Sequence, residues 1–428
     1  MNQPRVLVIS HNVFSTGNNM GRSLAGLFSG WDPDRLSQLY FCPEEPQLSL
    51  CRRYFRVTDG DVLRAFWTRR RPGSPLESGG DTGPAPASLR PLYRLGHTCR
   101  SPVPGLLRDA LWALSPWFSP ALSRWVEEAR PEVIFFAPGR SVFSHRIAFR
   151  LARQYRLPVV AICYDGVYTR PKGSPLELLY HRLRMQWARR LLAGSPCLFT
   201  TCRAMSESYA PRFSIPCREL YTPYGPPPPA AGRPNAIRYF GNLGLGRWRQ
   251  LAAIGRALRA LALPGLPAEI EIYSREDCRR LLPHLTAENG LRFCGAIPGT
   301  QVAEQIAESF LLIHAESFAP DDLRQVSLSI STKLADYLAY APSILAYGPE
   351  GAASIRYLRE QKAAFVITSE ASLAQGLLKA LTQESLRAEY RANARRLAAQ
   401  NHDPDQIHRL LHTVLAEAAW GNRRRSEE

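Results

Sequence analysis

The sequence contains no Cys-x-x-Cys pair. Its nine cysteines are odd in number and scattered, so neither a disulfide framework nor a zinc site is expected. No apolar run approaches the roughly 18–20 residues that cross a bilayer. The opening stretch MNQPRVLVIS reads as a strand rather than a secretory leader. These absences together set the expectation of a cytoplasmic chain. Acidic residues are also scarce beside basic ones, 37 against 54, for a net charge of +17. Such a field favours polyanions or anionic lipid headgroups, and a general solubility role explains it equally well. The basic residues cluster locally in TRRRPG, ARRLLAG and NRRRSEE. No zinc-finger, helix-turn-helix or RNA-binding signature accompanies them, so nucleic acid is not an expected partner.

What is present is long and globular. The 428 residues exceed one ordinary core, and 45% hydrophobic with 21% charged residues is a folded composition. The first half alternates apolar strand-like runs such as RVLVIS with helical spacings such as MGRSLAGLFSGW, a pattern repeated in PALSRWVEEARPEVIFF and SHRIAFRLARQYRLPVVAICY. Continuous apolar strands separated by helices predict a parallel sheet covered on both faces. Residues 69–105 break the rhythm with Pro, Gly, Ser and Arg and read as a flexible insertion without a packed strand, either a plain loop or an acceptor or membrane contact. YTPYGPPPPAAGRPN then marks a boundary, because consecutive prolines make a stiff spacer. The expected organisation is an N-terminal domain over 1–222 and a hinge over 223–235. A C-terminal domain follows over 236–402, then a closing helix over 403–420 that returns to the first domain, and a tail over 421–428. The fold class is α/β, with two Rossmann-like parallel-sheet domains facing a central cleft; ligands would bind outside the carboxyl ends of the strands.

Several segments carry candidate chemistry. The first strand-to-helix turn, SHNVFSTGNNMGRSL, places His11, Gly17, Asn18 and Asn19 in a Gly/Asn-rich loop. It suits close backbone approach to an anion or sugar, and equally a tight turn. It matches neither G-x-G-x-x-G nor a Walker A loop. RYFGNLGLGRW places Gly241 in a flexible loop and Arg247 at a helix start, where a guanidinium could grip a diphosphate. In YDGVY, Asp165 follows a strand, as a cleft-facing carboxylate or as an Asp-Gly turn. HAES ends another strand, and its Glu316 could hold sugar hydroxyls or transfer a proton. In SISTKLADYLA, Ser331 could cap a helix whose first turn offers Thr332 and Lys333 to a phosphate, with Asp336 one turn on. A surface Lys333–Asp336 pair accounts for the same pattern.

In combination these residues resemble the GT-B-fold glycosyltransferases, in particular the retaining family 4 group, over nearly the whole chain. The resemblance is strongest in STKLADYLAYAPSILAYGP, which is similar to the family's E-A-hydrophobic-A-x-G-x-P-V stretch, with Ala341 in place of the usual Gly. The family carries two glutamates with seven residues between them. Glu316 matches the first, and Asp336 stands where the second does, with nineteen residues between them here. The resemblance implies that Glu316 contacts the donor sugar and Asp336 the ribose. It further implies that Arg247 meets the diphosphate and that GAIP presents the backbone around Ile297 to the base. Asp165 would hydrogen-bond the reacting sugar or acceptor. The implied activity is sugar transfer from a nucleotide-diphosphate sugar, with retention, to a glycan or lipid-linked acceptor in polysaccharide or glycoconjugate biosynthesis. No cofactor and no metal would be required, and the basic surface would meet an anionic membrane. A nucleotide-sugar isomerase or epimerase of similar fold, and an inactive binding protein, are the alternatives.

Overall fold

VLVIS is buried along its whole length, as continuous β-branched and leucine runs require when helices cover both faces of a sheet. In the computed structural model, the described residues are 3–15, 19–46, 49–68, 71–77, 102–228, 236–275 and 278–427. They fall into two units, Met1–Leu220 with His408–Glu428, and Tyr221–Ile407.

The first unit contains β1 (Val6–Ser10), β2 (Leu36–Tyr40), β3 (Arg53–Arg56), β4 (Ser74–Glu77), β5 (Val133–Ala137), β6 (Val159–Cys163), β7 (Leu198–Thr200) and β8 (Cys217–Glu219). They form one sheet in the order β4-β3-β2-β1-β5-β6-β7-β8. All pairings are parallel except β3 with β4. That exception corrects the expectation for residues 69–105: their first part is a packed edge strand, with Leu76 buried. Its composition hides it, because SPLE has no β-branched residue and its proline is tolerated where an edge strand needs no N–H partner. Residues 78–101 lie outside the described residues.

The second unit contains β9 (Ala236–Phe240), β10 (Ile270–Tyr273), β11 (Leu291–Gly295), β12 (Ser309–Ala315), β13 (Ile344–Tyr347) and β14 (Phe365–Ile367). Their order is β11-β10-β9-β12-β13-β14 and every pairing is parallel. Ile237, Tyr239, Leu311, Ile313 and Leu345 fill its core, together with Leu251 and Ile254 from the helix Arg247–Leu261. Residues 222–224 are tied to this unit by His402. Its Nδ1 lies 2.7 Å from the Thr222 carbonyl and its Nε2 lies 3.1 Å from the Tyr357 hydroxyl. Burial lowers its pKa to about 4, which keeps the ring neutral.

In each sheet the strand order reverses once, between β1 and β5 and between β9 and β12. The crevice outside the carboxyl ends at such a point is where open parallel sheets bind ligands. The last helix, Pro404–Glu427, begins in the second unit, and from His408 its residues belong to the first.

Candidate active site

The reversal between β9 and β12 brings two polar loop starts together. Beyond β9 the chain runs through Gly241 to Gly246, which has φ +67 and precedes the helix beginning at Arg247. Beyond β12 the first residue is Glu316, whose N–H donates to the Tyr347 carbonyl at 3.0 Å and so ties it to the end of β13. Arg247 and Glu316 meet across this gap. Nη2 and Nε of Arg247 lie 2.9 and 3.1 Å from the same oxygen, Glu316 Oε2. The arginine side chain is 15% exposed and the glutamate 2%. Burial raises the Glu316 pKa, and the charges of Arg247 and then Lys333 pull it back. The solvated-arginine reading of Arg247 is thereby excluded.

Lys333 approaches from a third segment. Its Nζ is 3.3 Å from the Tyr239 hydroxyl and 4.4 Å from the centre of the same ring, a cation–π contact that holds the ammonium over β9. It crosses Gly241, where an added Cβ would lie 2.4 Å from Nζ and where φ is +140. A side chain there would both clash and be strained. His314 shares a strand face with Glu316 because side chains alternate with period two. Its Nε2 stands 3.5 Å from Glu316 Oε1, yet among the described residues neither ring nitrogen makes a hydrogen bond. Burial, with Lys333 and Arg247 nearby, holds its pKa well below the usual imidazole value, so the ring is neutral. The cluster therefore presents a guanidinium, an ammonium and a neutral imidazole around one buried carboxylate.

The other sequence-predicted residues fall differently. The helix expected to open at Ser331 begins at Leu334 and is seven residues long. Ser331 and Thr332 lie in the preceding turn. Ser331 stands two residues before the cap: its carbonyl accepts the Leu334 N–H at 3.0 Å and its own N–H donates to Ser354 Oγ at 3.0 Å. Lys333, with helical φ and ψ, occupies the cap position, and its side chain reaches Tyr239 rather than the helix N–H groups. Asp336 Oδ1 accepts the Gly225 N–H at 2.8 Å. Ile297 is half-buried in the turn after β11, two strands from β9.

In the first unit, His11 follows β1, and its carbonyl accepts the N–H groups of Phe41 and Cys42 at 3.2 and 2.9 Å. Gly17 and Asn18 lie outside the described residues, and Asn19 opens the helix Asn19–Leu27. Asp165 sits two residues past β6, and its carbonyl accepts the Val167 N–H at 2.7 Å in a tight turn. Surrounding protein raises its carboxyl pKa, opposed by Arg140, but its side chain is exposed. Among the described residues no group of three or more His, Cys, Asp or Glu is placed to hold a metal ion.

Sequence reasoning thus brought Arg247, Glu316, Lys333 and Gly241 to one place. It missed Tyr239 and gave His314 no role. Strand periodicity from Glu316 was the available signal for His314; nothing local marked Tyr239, which is 94 residues from Lys333.

The architecture is the GT-B fold, two Rossmann-like parallel sheets with their helices. In particular, the chain is similar to HepE of Anabaena, solved with UDP and with UDP-glucose; against the UDP complex the identity is 13%, the coverage 96% of this chain and 100% of that one, and the TM-score 0.62. It is also similar to the sucrose-phosphate synthase of Thermosynechococcus elongatus (13% identity, 97% and 99% covered, TM-score 0.62). A third is a UDP-forming trehalose-phosphate synthase of Burkholderia vietnamiensis (11% identity, 98% of each chain, TM-score 0.58). No family model matches the sequence, and no curated protein matches it.

Proposed function

We propose that the protein is a glycosyltransferase that moves a sugar from a nucleotide-diphosphate sugar to an acceptor. The observation that carries this reading is the convergence of Arg247 and Lys333 on Glu316 at the strand-order reversal of the second unit. Breaking the bond between the anomeric carbon and the diphosphate oxygen leaves negative charge on the diphosphate. A fixed guanidinium and ammonium would stabilise that charge as it develops, with little reorganisation. HepE solved with UDP-glucose and the UDP-forming trehalose-phosphate synthase share the fold and support a nucleotide-sugar donor. By the family resemblance we assign retention of configuration, donor-sugar contact to Glu316, ribose contact to Asp336, and a role in polysaccharide or glycoconjugate biosynthesis.

A thermal-shift screen of nucleoside diphosphates and nucleotide sugars tests the donor site. A ligand at ~100 times its Kd should add about 2.7 kcal/mol of stability; no shift with any nucleotide sinks the reading. Asp336→Ala should lower nucleotide affinity about tenfold and also cost roughly 1–3 kcal/mol, because the Gly225 N–H loses its acceptor. Unchanged affinity would remove Asp336 from the donor site.

Among the described residues no helix is long and apolar enough to cross a membrane. With a net charge of +17, we place the enzyme in the cytoplasm as a peripheral protein on anionic lipid. In a flotation experiment it should rise with anionic vesicles at low salt and release at high salt; protein that stays at the bottom in both rejects this placement.

A further inference from the structure

His314, on β12, is 1% exposed, and among the described residues neither of its ring nitrogens makes a hydrogen bond. An imidazole kept from water without a partner costs free energy that an apolar side chain at the same place would not. Its partner is therefore to be sought in another state of the site. Glu316 supplies one. Its two oxygens are used unequally: Oε2 takes both contacts from Arg247, at 2.9 and 3.1 Å, while Oε1 stands 3.5 Å from His314 Nε2. That separation is at the outer edge of a hydrogen bond, and the pair is not aligned for one.

The groups around the ring explain why the bond is not made in the ligand-free protein. Besides burial, the charges of Lys333, from the turn before Leu334–Tyr340, and of Arg247 disfavour a proton on His314. Tyr239 of β9 holds the Lys333 ammonium over its ring. On the helix Leu334–Tyr340, Asp336 accepts the Gly225 N–H and the Tyr337 hydroxyl donates to the Phe240 carbonyl at 3.4 Å, so neither is spent on the imidazole. Glu308, where the helix Gly299–Ala307 meets β12, accepts from Gln305, and Asp322 of Pro320–Val326 acts on Glu316.

We propose that His314 is a positioning residue of the donor site: it takes up a proton when a diphosphate draws Arg247 away from Glu316, and then holds the Glu316 carboxylate in the guanidinium's place. It rests on the glycosyltransferase reading, in which Arg247 meets the diphosphate of the donor. Two cations and one anion form the ligand-free cluster. The ionised phosphates of a nucleotide sugar reverse its sign, and the field that keeps the imidazole neutral becomes one that favours its charged form. The proton comes from solvent and adds to a ring nitrogen, and no bond of the donor changes. An imidazolium on Oε1 keeps Glu316 ionised and oriented while the arginine is occupied.

The test is calorimetry of the full chain with UDP-glucose and with GDP-mannose, in buffers of different ionisation enthalpy. Their doubly esterified diphosphates have no proton to exchange near neutral pH. The wild type should take up a proton on binding, and its affinity should rise up to about tenfold per pH unit between about pH 8 and about pH 6. His314→Gln keeps an amide donor for Glu316 but cannot be protonated. It should bind without proton uptake, match the wild type at the alkaline end and fall about tenfold below it at the acid end. Glu316→Gln should lose the uptake as well, because the imidazolium then has no carboxylate to meet. A merely structural imidazole would instead lower the melting temperature of His314→Gln and leave the pH slope of binding unchanged. Binding by the wild type without proton uptake overturns the proposal while the donor site stands, and that measurement needs no variant to fold. Uptake that survives in His314→Gln or in Glu316→Gln also overturns it. If neither nucleotide sugar binds at any pH, the donor reading falls and this inference falls with it.

Discussion

Glu316→Gln should bind nucleoside diphosphate more tightly than the wild type while losing transfer activity. In the ligand-free protein the Glu316 carboxylate holds Arg247 through two contacts on one oxygen. A diphosphate arriving at that guanidinium must displace or share it. Glutamine keeps the shape and can still accept a hydrogen bond, but it withdraws the competing charge. Calorimetry should show nucleoside diphosphate affinity rising about tenfold, the scale of one modest charge interaction. The ligand-free variant should be less stable, by at most the ~3–5 kcal/mol that follows when one member of a buried ion pair is removed. The thermal shift given by the nucleotide should therefore be larger than in the wild type, because the ligand restores the missing counter-charge. Transfer should fall by roughly a hundredfold or more, as for removal of a group that acts in the transition state. Weaker nucleotide binding with unchanged stability would mean that Glu316 holds the nucleotide directly and that its contact with Arg247 is incidental.

This outcome turns on a contact that the sequence foretold only in part. Strand identity was legible in the second unit, because β12 and β13 carry the apolar runs FLLI and ILA and β9 has apolar residues on both sides of Arg238, each followed by polar or glycine residues. Arg247 and Glu316 could be placed at those ends. Their pairing could not, because it depends on β9 and β12 being neighbours, and 69 residues separate the two side chains. The opening of the helix Leu334–Tyr340 was misread for a related reason. Local capping rules favoured Ser331, but its residues form a separate turn, closed by the Leu334 N–H on the Ser331 carbonyl and held by Ser354 of a distant segment, and the helix begins only after it. Edge strand β4 was lost because tertiary pairing with β3 outweighed a local composition that signals a loop.

Arg247→Ala should lower nucleoside diphosphate affinity by about a hundredfold, the loss expected of a charged partner worth roughly 2–3 kcal/mol. Its second consequence is a change in how stability depends on pH. Glu316 already has a pKa above its ordinary 4.5, because burial outweighs the pull of Arg247 and Lys333. Removing Arg247 takes away the larger of those pulls and leaves burial less opposed, so the folded-state value climbs further. A carboxyl whose pKa is raised by folding contributes stability that is complete below its unfolded value and is lost as pH rises through the folded one. The variant should therefore be weakest at neutral and alkaline pH, by up to ~3–5 kcal/mol for the carboxylate left without its partner. As pH falls toward the ordinary 4.5 of the group, the carboxyl takes up a proton and the deficit relative to the wild type should shrink. Melting temperatures of both proteins from mild acid to pH 8 would display this as two curves that converge on acidification. His314 moves the curves in the same direction: the variant loses one of the two cations that hold its pKa down, so any proton it takes up beside Glu316 on acidification narrows the gap as well. A gap that stays constant across the range, or widens in acid, would show that Glu316 does not depend on Arg247 for its charge. The buried pair would then not be what organises the site.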